Sequence, residues 1–162
     1  MHNRETARLL PANGNIRVFN TISAYEQDVT GLPEAHQPPR ILLVEDDHTL
    51  ASLEAGILTA HGFTVVTVES GEQAIALLGS VIPDLVVLDL DLTGHVQGWE
   101  VLEALRASAS IPVLLTTSSA TAVRHSIRSR GETKHTLDHL PKPYPMHLLL
   151  KRIKRLLATE PH

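Results

Sequence analysis

The chain has 162 residues, a formal net charge of −4 and no cysteine. That length suits one globular domain with an appendage, and the near balance of charge argues against a dedicated polyanion binder. Disulfide and thiol chemistry are excluded, and with 43% hydrophobic but only 3% aromatic residues the core must be aliphatic.

Residues 1–39 carry Pro11, Gly14, Gly31, Pro33, Pro38 and Pro39 and show weak hydrophobic periodicity. They read as an N-terminal extension, flexible or loosely packed, with a possible short strand at Ile16–Asn20 and a short helix at Thr21–Asp28. The first residues lack the apolar run of a signal peptide. Nowhere does the chain approach the roughly 20 apolar residues of a membrane span, so a cytoplasmic protein without membrane contact is expected. The ten histidines are scattered, with no pair at a convincing metal-ligand spacing.

From residue 40 the pattern becomes regular. Ile41–Val44 is an apolar strand that ends abruptly in Glu45-Asp46-Asp47. His48 to His61 reads as a helix with Leu50, Leu53, Ile57 and Leu58 on one face, closed by Gly62. Asp47 is placed to cap it. Phe63–Val68 is β-branched and strand-like, and Ser70 is placed to cap a helix over Gly71–Leu78 that carries Ala74, Ile75 and Leu78. Leu85–Leu88 is a fully apolar strand running into Asp89, followed by a polar loop from Asp91 to Gly98. Trp99–Ala107 is a helix, Pro112–Leu115 a strand ending in Thr116-Thr117-Ser118-Ser119, and Ala120–Arg130 a helix with an arginine-rich face. Thr136–Leu140 is a short strand before Pro141-Lys142-Pro143. Met146–Ala158 is amphipathic, with Met146, Leu149, Leu150, Ile153, Leu156 and Leu157 inward and Lys151, Arg152, Lys154 and Arg155 outward. A tail, residues 159–162, remains.

Five apolar strands alternating with five helices predict an α/β fold: a doubly wound, five-stranded parallel sheet in a flavodoxin-like (βα)5 three-layer sandwich spanning residues 40–158. In such folds ligands sit outside the carboxyl ends of the strands. Glu45, Asp46, Asp47, Asp89, Asp91, Thr116, Thr117 and Lys142 all fall there. Each has an ordinary structural reading alone: an N-cap, β-propensity, a solvated turn. Together at one rim they form a site. Clustered carboxylates need a counter-charge, and Mg²⁺, a hard ion preferring oxygen ligands, is the expected one. With it, an aspartate can act as a nucleophile toward phosphorus while a lysine and a hydroxyl receive the transferring group.

The segments ILLVEDD, PDLVVLDLDL, IPVLLTTSS and LPKPY, with 43 residues from Asp46 to Asp89, resemble the receiver domain of two-component response regulators. The resemblance covers about residues 40–158. It implies that Asp89 is the phosphoacceptor, that Glu45, Asp46 and Asp89 hold Mg²⁺ together with the backbone carbonyl of Asp91, and that Thr117 is the switch hydroxyl. Thr117, five residues after Pro112, matches better than Thr116. It further implies that Lys142 pairs with the phosphoryl group and that the Lys142–Pro143 peptide is cis. The donor would be a sensor histidine kinase or a phosphotransfer protein. Dimerisation or partner binding would use the fourth helix, fifth strand and fifth helix.

Some positions depart from the family. Leu92-Thr93 stands where Met-Pro or Leu-Pro is usual, the loop to Gly98 is one residue longer, and the stretch from Asp89 to Thr117 is slightly short. His139 stands where an aromatic often reports the active state; an imidazole there would make switching pH-sensitive, against the plainer reading of a surface histidine. Two other functions stay open: a receiver-like interaction module that is never phosphorylated, and an aspartyl-phosphate-forming phosphatase, since Asp89-Leu90-Asp91-Leu92-Thr93 matches a DxDxT signature. The expectation is a stand-alone signalling domain, not an enzyme beyond its own phosphorylation and dephosphorylation, with no direct contact to nucleic acid. The basic face of the last helix then reads as solvated or as a protein contact.

Overall fold

The computed structural model describes residues 16–19 and 36–158. In chain order the elements are β1 (Arg17–Phe19), β2 (Arg40–Val44), α1 (His48–Ala60), β3 (Thr64–Val68), α2 (Gly71–Leu78), β4 (Leu85–Asp89), α3 (Gly98–Ser108), β5 (Val113–Thr117), α4 (Ala120–Ser129), β6 (Leu137–Pro141) and α5 (Met146–Ala158). They form one sheet of order β1-β3-β2-β4-β5-β6, parallel except at β1. Strands β2 to β6 are the expected five, and helices cover both faces.

The sheet departs from expectation at one edge. Arg17–Phe19 pairs antiparallel with β3, Arg17 opposite Thr67 and Phe19 opposite Val65. A bare β3 would present a row of unpaired backbone groups, and the short strand covers them. Ile16 and Phe19 pack on opposite faces of the sheet, each against one of the two cores. The expected helix at Thr21–Asp28 and the tail at 159–162 lie outside the described residues.

Caps set the helix starts. The Asp47 carboxylate accepts from the amides of Thr49 and Leu50 and opens α1; Ser70 accepts from Gln73 and opens α2. Gly62, at φ +91°, turns the chain out of α1. The buried face of α1 is rotated from the expected one: Ala51, Glu54, Ala55 and Leu58 are buried, while Leu53 is 51% exposed. The two small alanines pack in one core with Ile41, Leu43 and Val65. Ile75 of α2 is likewise exposed and Leu77 buried in its place.

The last helix also differs in part. Leu149, Ile153 and Leu156 are buried as expected, but Arg152 and Arg155 do not simply face solvent. Both pair with Asp138, a buried carboxylate on β6, Arg152 at 2.8 Å. Two guanidinium groups and the His139 amide satisfy that acid.

Candidate functional site

Parallel strands in register bring their carboxyl ends to one rim. Val44 pairs with Leu88, Asp89 with Thr116, and Thr117 with Pro141, so the residues that follow or end β2, β4, β5 and β6 meet there. Glu45, Asp46 and Asp89 each place a carboxylate oxygen within 4.8 Å of the others. Asp89 is 1% exposed and Glu45 2%, whereas Asp46 is half-buried. Lys142 reaches in from the end of β6, its Nζ 3.1 Å from Asp89 Oδ2 and 3.3 Å from Glu45 Oε2. The Lys142 amide donates to the Thr117 carbonyl at 2.8 Å, and the Lys142–Pro143 peptide is cis.

The electrostatics follow from packing acids at one buried point. Burial, then the charge of Asp89, pushes the Glu45 carboxyl up to about 8, against the Asp47 amide and Lys142. Burial pulls the Lys142 ammonium down, but Glu45 and Asp89 outweigh it and hold it above its ordinary value. Burial alone would raise Asp46; two hydrogen bonds from Thr93 overcome it and hold that carboxyl below its usual range. Within the cluster Lys142 sets one ammonium against the repulsion of the acids. A hard divalent cation would relieve it better, because every candidate ligand atom is oxygen.

Asp91, two residues after Asp89, is also tied in. The Asp91 amide donates to Asp89 Oδ1 at 2.8 Å, which leaves Oδ2 facing Lys142. The Asp91 side chain, which the sequence placed among the acids of the rim and in the DxDxT signature, accepts from the Ser118 amide at 2.7 Å, the Ser118 hydroxyl at 2.9 Å and the Thr117 hydroxyl at 3.4 Å. A carboxylate therefore already engages the β5–α4 loop. Thr116, also buried, lies opposite Asp89 in the ladder; it is Thr117 whose hydroxyl faces the loop acids.

Thr93 was readable as a departure from the family and as the last position of the DxDxT signature. In the structure both its amide (2.9 Å) and its hydroxyl (2.7 Å) donate to Asp46 Oδ2. A hydroxyl residue in a polar loop four positions past Asp89 was the available signal. The remainder of the loop is held by Glu72 of α2, which accepts from the Val96 amide at 3.1 Å. Gly98 then passes so close to the backbone of β4 that an added Cβ would lie 2.6 Å from the Asp89 carbonyl oxygen. His139 stands elsewhere, half-buried on β6, where Arg124 of α4 donates to its Nε2 at 3.5 Å. Burial, against the pull of Asp138, holds its imidazole below the ordinary value.

The family model for the response regulator receiver domain matches residues 41–154. The transcriptional regulatory protein CpxR of Escherichia coli K12 is 36% identical over 118 residues, 73% of this chain and 49% of CpxR. The chain thus spans about half the length of the curated relatives it matches. Among solved structures, the non-phosphorylated HemR receiver domain of Leptospira biflexa is 31% identical with a TM-score of 0.67, covering 76% of this chain and 98% of that one. The receiver domain of a sensor histidine kinase from Pseudomonas aeruginosa PAO1, solved with a magnesium ion coordinated in its active-site cleft, has a TM-score of 0.65. It covers 75% of this chain and 99% of that one, but at 22% identity it speaks for the fold alone. Among the described residues no helix is long and apolar enough to cross a membrane. With the doubly wound sheet, the acid cleft at its carboxyl rim and these matches, the chain belongs to the response regulator receiver domain family of two-component systems.

Proposed function

We propose that this receiver accepts a phosphoryl group on Asp89 in a Mg²⁺-dependent reaction and signals by a change of conformation. The observation that carries the reading is the pairing of Asp89 Oδ2 with Lys142 Nζ at 3.1 Å beside the oxygens of Glu45 and Asp46. The carboxylates of Glu45, Asp46 and Asp89, with the Asp91 carbonyl, would hold Mg²⁺. When bound, the ion neutralises charge on the transferring group. The protein's own part is positional and electrostatic. The Asp91 amide fixes one Asp89 oxygen, and the other attacks phosphorus. The bond from phosphorus to the donor breaks, and the donor leaves with the electron pair. Lys142 remains beside the oxygen that has reacted and pairs with the new phosphoryl oxygens. Thr117 and Ser118, which now donate to Asp91, are the hydroxyls able to turn to the phosphoryl group. That exchange would shift the balance between two forms, with Thr117 and His139 as switching residues.

The proposed donor is a sensor histidine kinase or a phosphotransfer protein in the cytoplasm. The proposed output surface is α4, β6 and α5, for a second copy or a protein partner rather than nucleic acid. We take residues 40–158 as the working unit. Ahead of it, Arg17–Phe19 adds to the sheet edge as β1. The test incubates the protein with Mg²⁺ and acetyl phosphate and weighs the intact chain. One added phosphoryl group in wild type, absent in Asp89→Ala, is expected. No gain in wild type would favour an interaction module that is never phosphorylated, and steady hydrolysis of a phosphomonoester would favour a phosphatase.

A further inference from the structure

Beneath the cleft lies a polar pair that the reaction as described does not use. Glu54, on α1, is 0% exposed within an otherwise apolar core. Its Oε1 accepts from the Tyr144 hydroxyl, and its Oε2 is buried with no hydrogen-bond partner. Tyr144 itself packs against the core of Ile41, Leu58 and Leu149, work that a phenylalanine ring would do as well. A leucine opposite a phenylalanine would fill the same space without a buried, half-satisfied carboxyl, which is costly to keep. The pair therefore contributes something other than cohesion.

What it contributes is the position of Lys142. Tyr144 follows Lys142 by two residues, and Pro141, Pro143 and Pro145 stiffen the chain around them by fixing φ. Lys142 is anchored on one side by its amide bond to the Thr117 carbonyl. The Tyr144–Glu54 bond anchors the other side to α1, the helix that begins just after Glu45 and Asp46. The loop that carries the ammonium and the helix that follows the acids are thereby held at one distance. Glu54 also lies near enough to Lys142 and Asp89 for their charges to act on it.

We propose that Glu54, through Tyr144, is a positioning residue that holds the Lys142 ammonium against Asp89. The proposal rests on the phosphoacceptor reading of the site. Its test uses the full chain with the variants Glu54→Leu, Tyr144→Phe and Glu54→Gln. Phosphorylation by acetyl phosphate is followed over a range of donor concentrations, stability by urea unfolding, and Lys142 by the ¹⁵N and ¹³C resonances of its side chain. Glu54→Leu should fold at least as stably as wild type, whereas Tyr144→Phe strips the buried Glu54 carboxyl of the Tyr144 hydroxyl and should be less stable. Their maximal rate should fall on the order of tenfold or more, the sensitivity expected of misplaced reacting groups. The half-saturating donor concentration should hold, and the Lys142 resonances should move toward those of exposed lysines. Glu54→Gln keeps an acceptor for the Tyr144 hydroxyl and should recover most of the rate. An unchanged rate and unchanged Lys142 resonances in Glu54→Leu would overturn the proposal. So would a rate loss that tracks lost stability and is not recovered by Gln. If wild type takes up no phosphoryl group, the site reading fails, and the Lys142 resonances alone still decide the positioning.

Discussion

Replacing Glu54 by leucine should change how stability depends on pH, by an amount the structure sets. Burial, only partly offset by the Tyr144 hydrogen bond, pushes the Glu54 carboxyl from its ordinary 4.5 up to about 7. The folded protein therefore holds this proton more tightly than the unfolded chain does. Stability from that preference is fully present below pH 4.5 and is lost as pH rises through about 7. Each tenfold gain in proton affinity on folding is worth about 1.4 kcal/mol, so the loss across this window is about 3 kcal/mol for the one group. Glu54→Leu has no such proton, and its stability should lack that part of the decline. Between pH 4.5 and neutral the variant should gain on wild type by an amount of that order. Glu45, pushed up to about 8, produces a decline of its own in both proteins; the charge of Glu54 is the smallest of the causes that raise it, so most of that decline cancels in the difference. Urea unfolding followed by the fluorescence of Trp99, the single tryptophan of the chain, over this pH range with a chelator present gives both curves. Parallel curves would refute the reasoning, since a Glu54 that is charged throughout, or exposed, leaves no pH-dependent difference.

Thr93→Ala removes the hydroxyl hydrogen bond to Asp46 Oδ2 and keeps the amide one; Mg²⁺ binding, measured by calorimetry, should weaken by up to about tenfold, as when a partner orienting a ligand is lost. Gly98→Ala forces a methyl group against the Asp89 carbonyl and the Leu90 Cα, so the unfolding free energy should fall by about 1–3 kcal/mol, and Asp89 phosphorylation should slow. The His139 imidazole should titrate below its ordinary value because burial opposes its charge, which NMR of the ring carbons would report; partner binding that changes with pH on the alkaline side of that titration would then have to arise elsewhere.

The acid and lysine side of the cleft was legible because it depends on strand order alone. Asp89, Asp46, Thr117 and Lys142 end or follow apolar strands, and any parallel doubly wound sheet delivers such residues to one rim. Asp47 and Ser70 were legible as caps for a local reason: each bonds amides two or three residues ahead. The rest depends on partners that only folding brings near. Thr93 meets Asp46 across 47 residues, and Tyr144 meets Glu54 across 90. Aliphatic weight on Leu50 and Leu53 turned the expected face of α1 away from Glu54, because nothing in the local pattern announces that a glutamate will be buried under a distant tyrosine. The same holds for Arg152 and Arg155, which look like part of a solvated basic stripe until β6 delivers Asp138 beneath them. The β1 pairing depends on an edge that the helical and strand periodicities do not describe.

Asp89 is the residue on which the proposed function turns, and the most direct measurement traps the acyl phosphate where it forms. After reaction with acetyl phosphate and Mg²⁺, hydride reduction converts a phosphorylated aspartate to homoserine, which peptide mass spectrometry then locates. Homoserine is expected at position 89, dependent on Mg²⁺, with Asp46 and Asp91 unmodified. Homoserine at Asp46 or Asp91, or none anywhere in a folded protein, would contradict the assignment of Asp89 as phosphoacceptor.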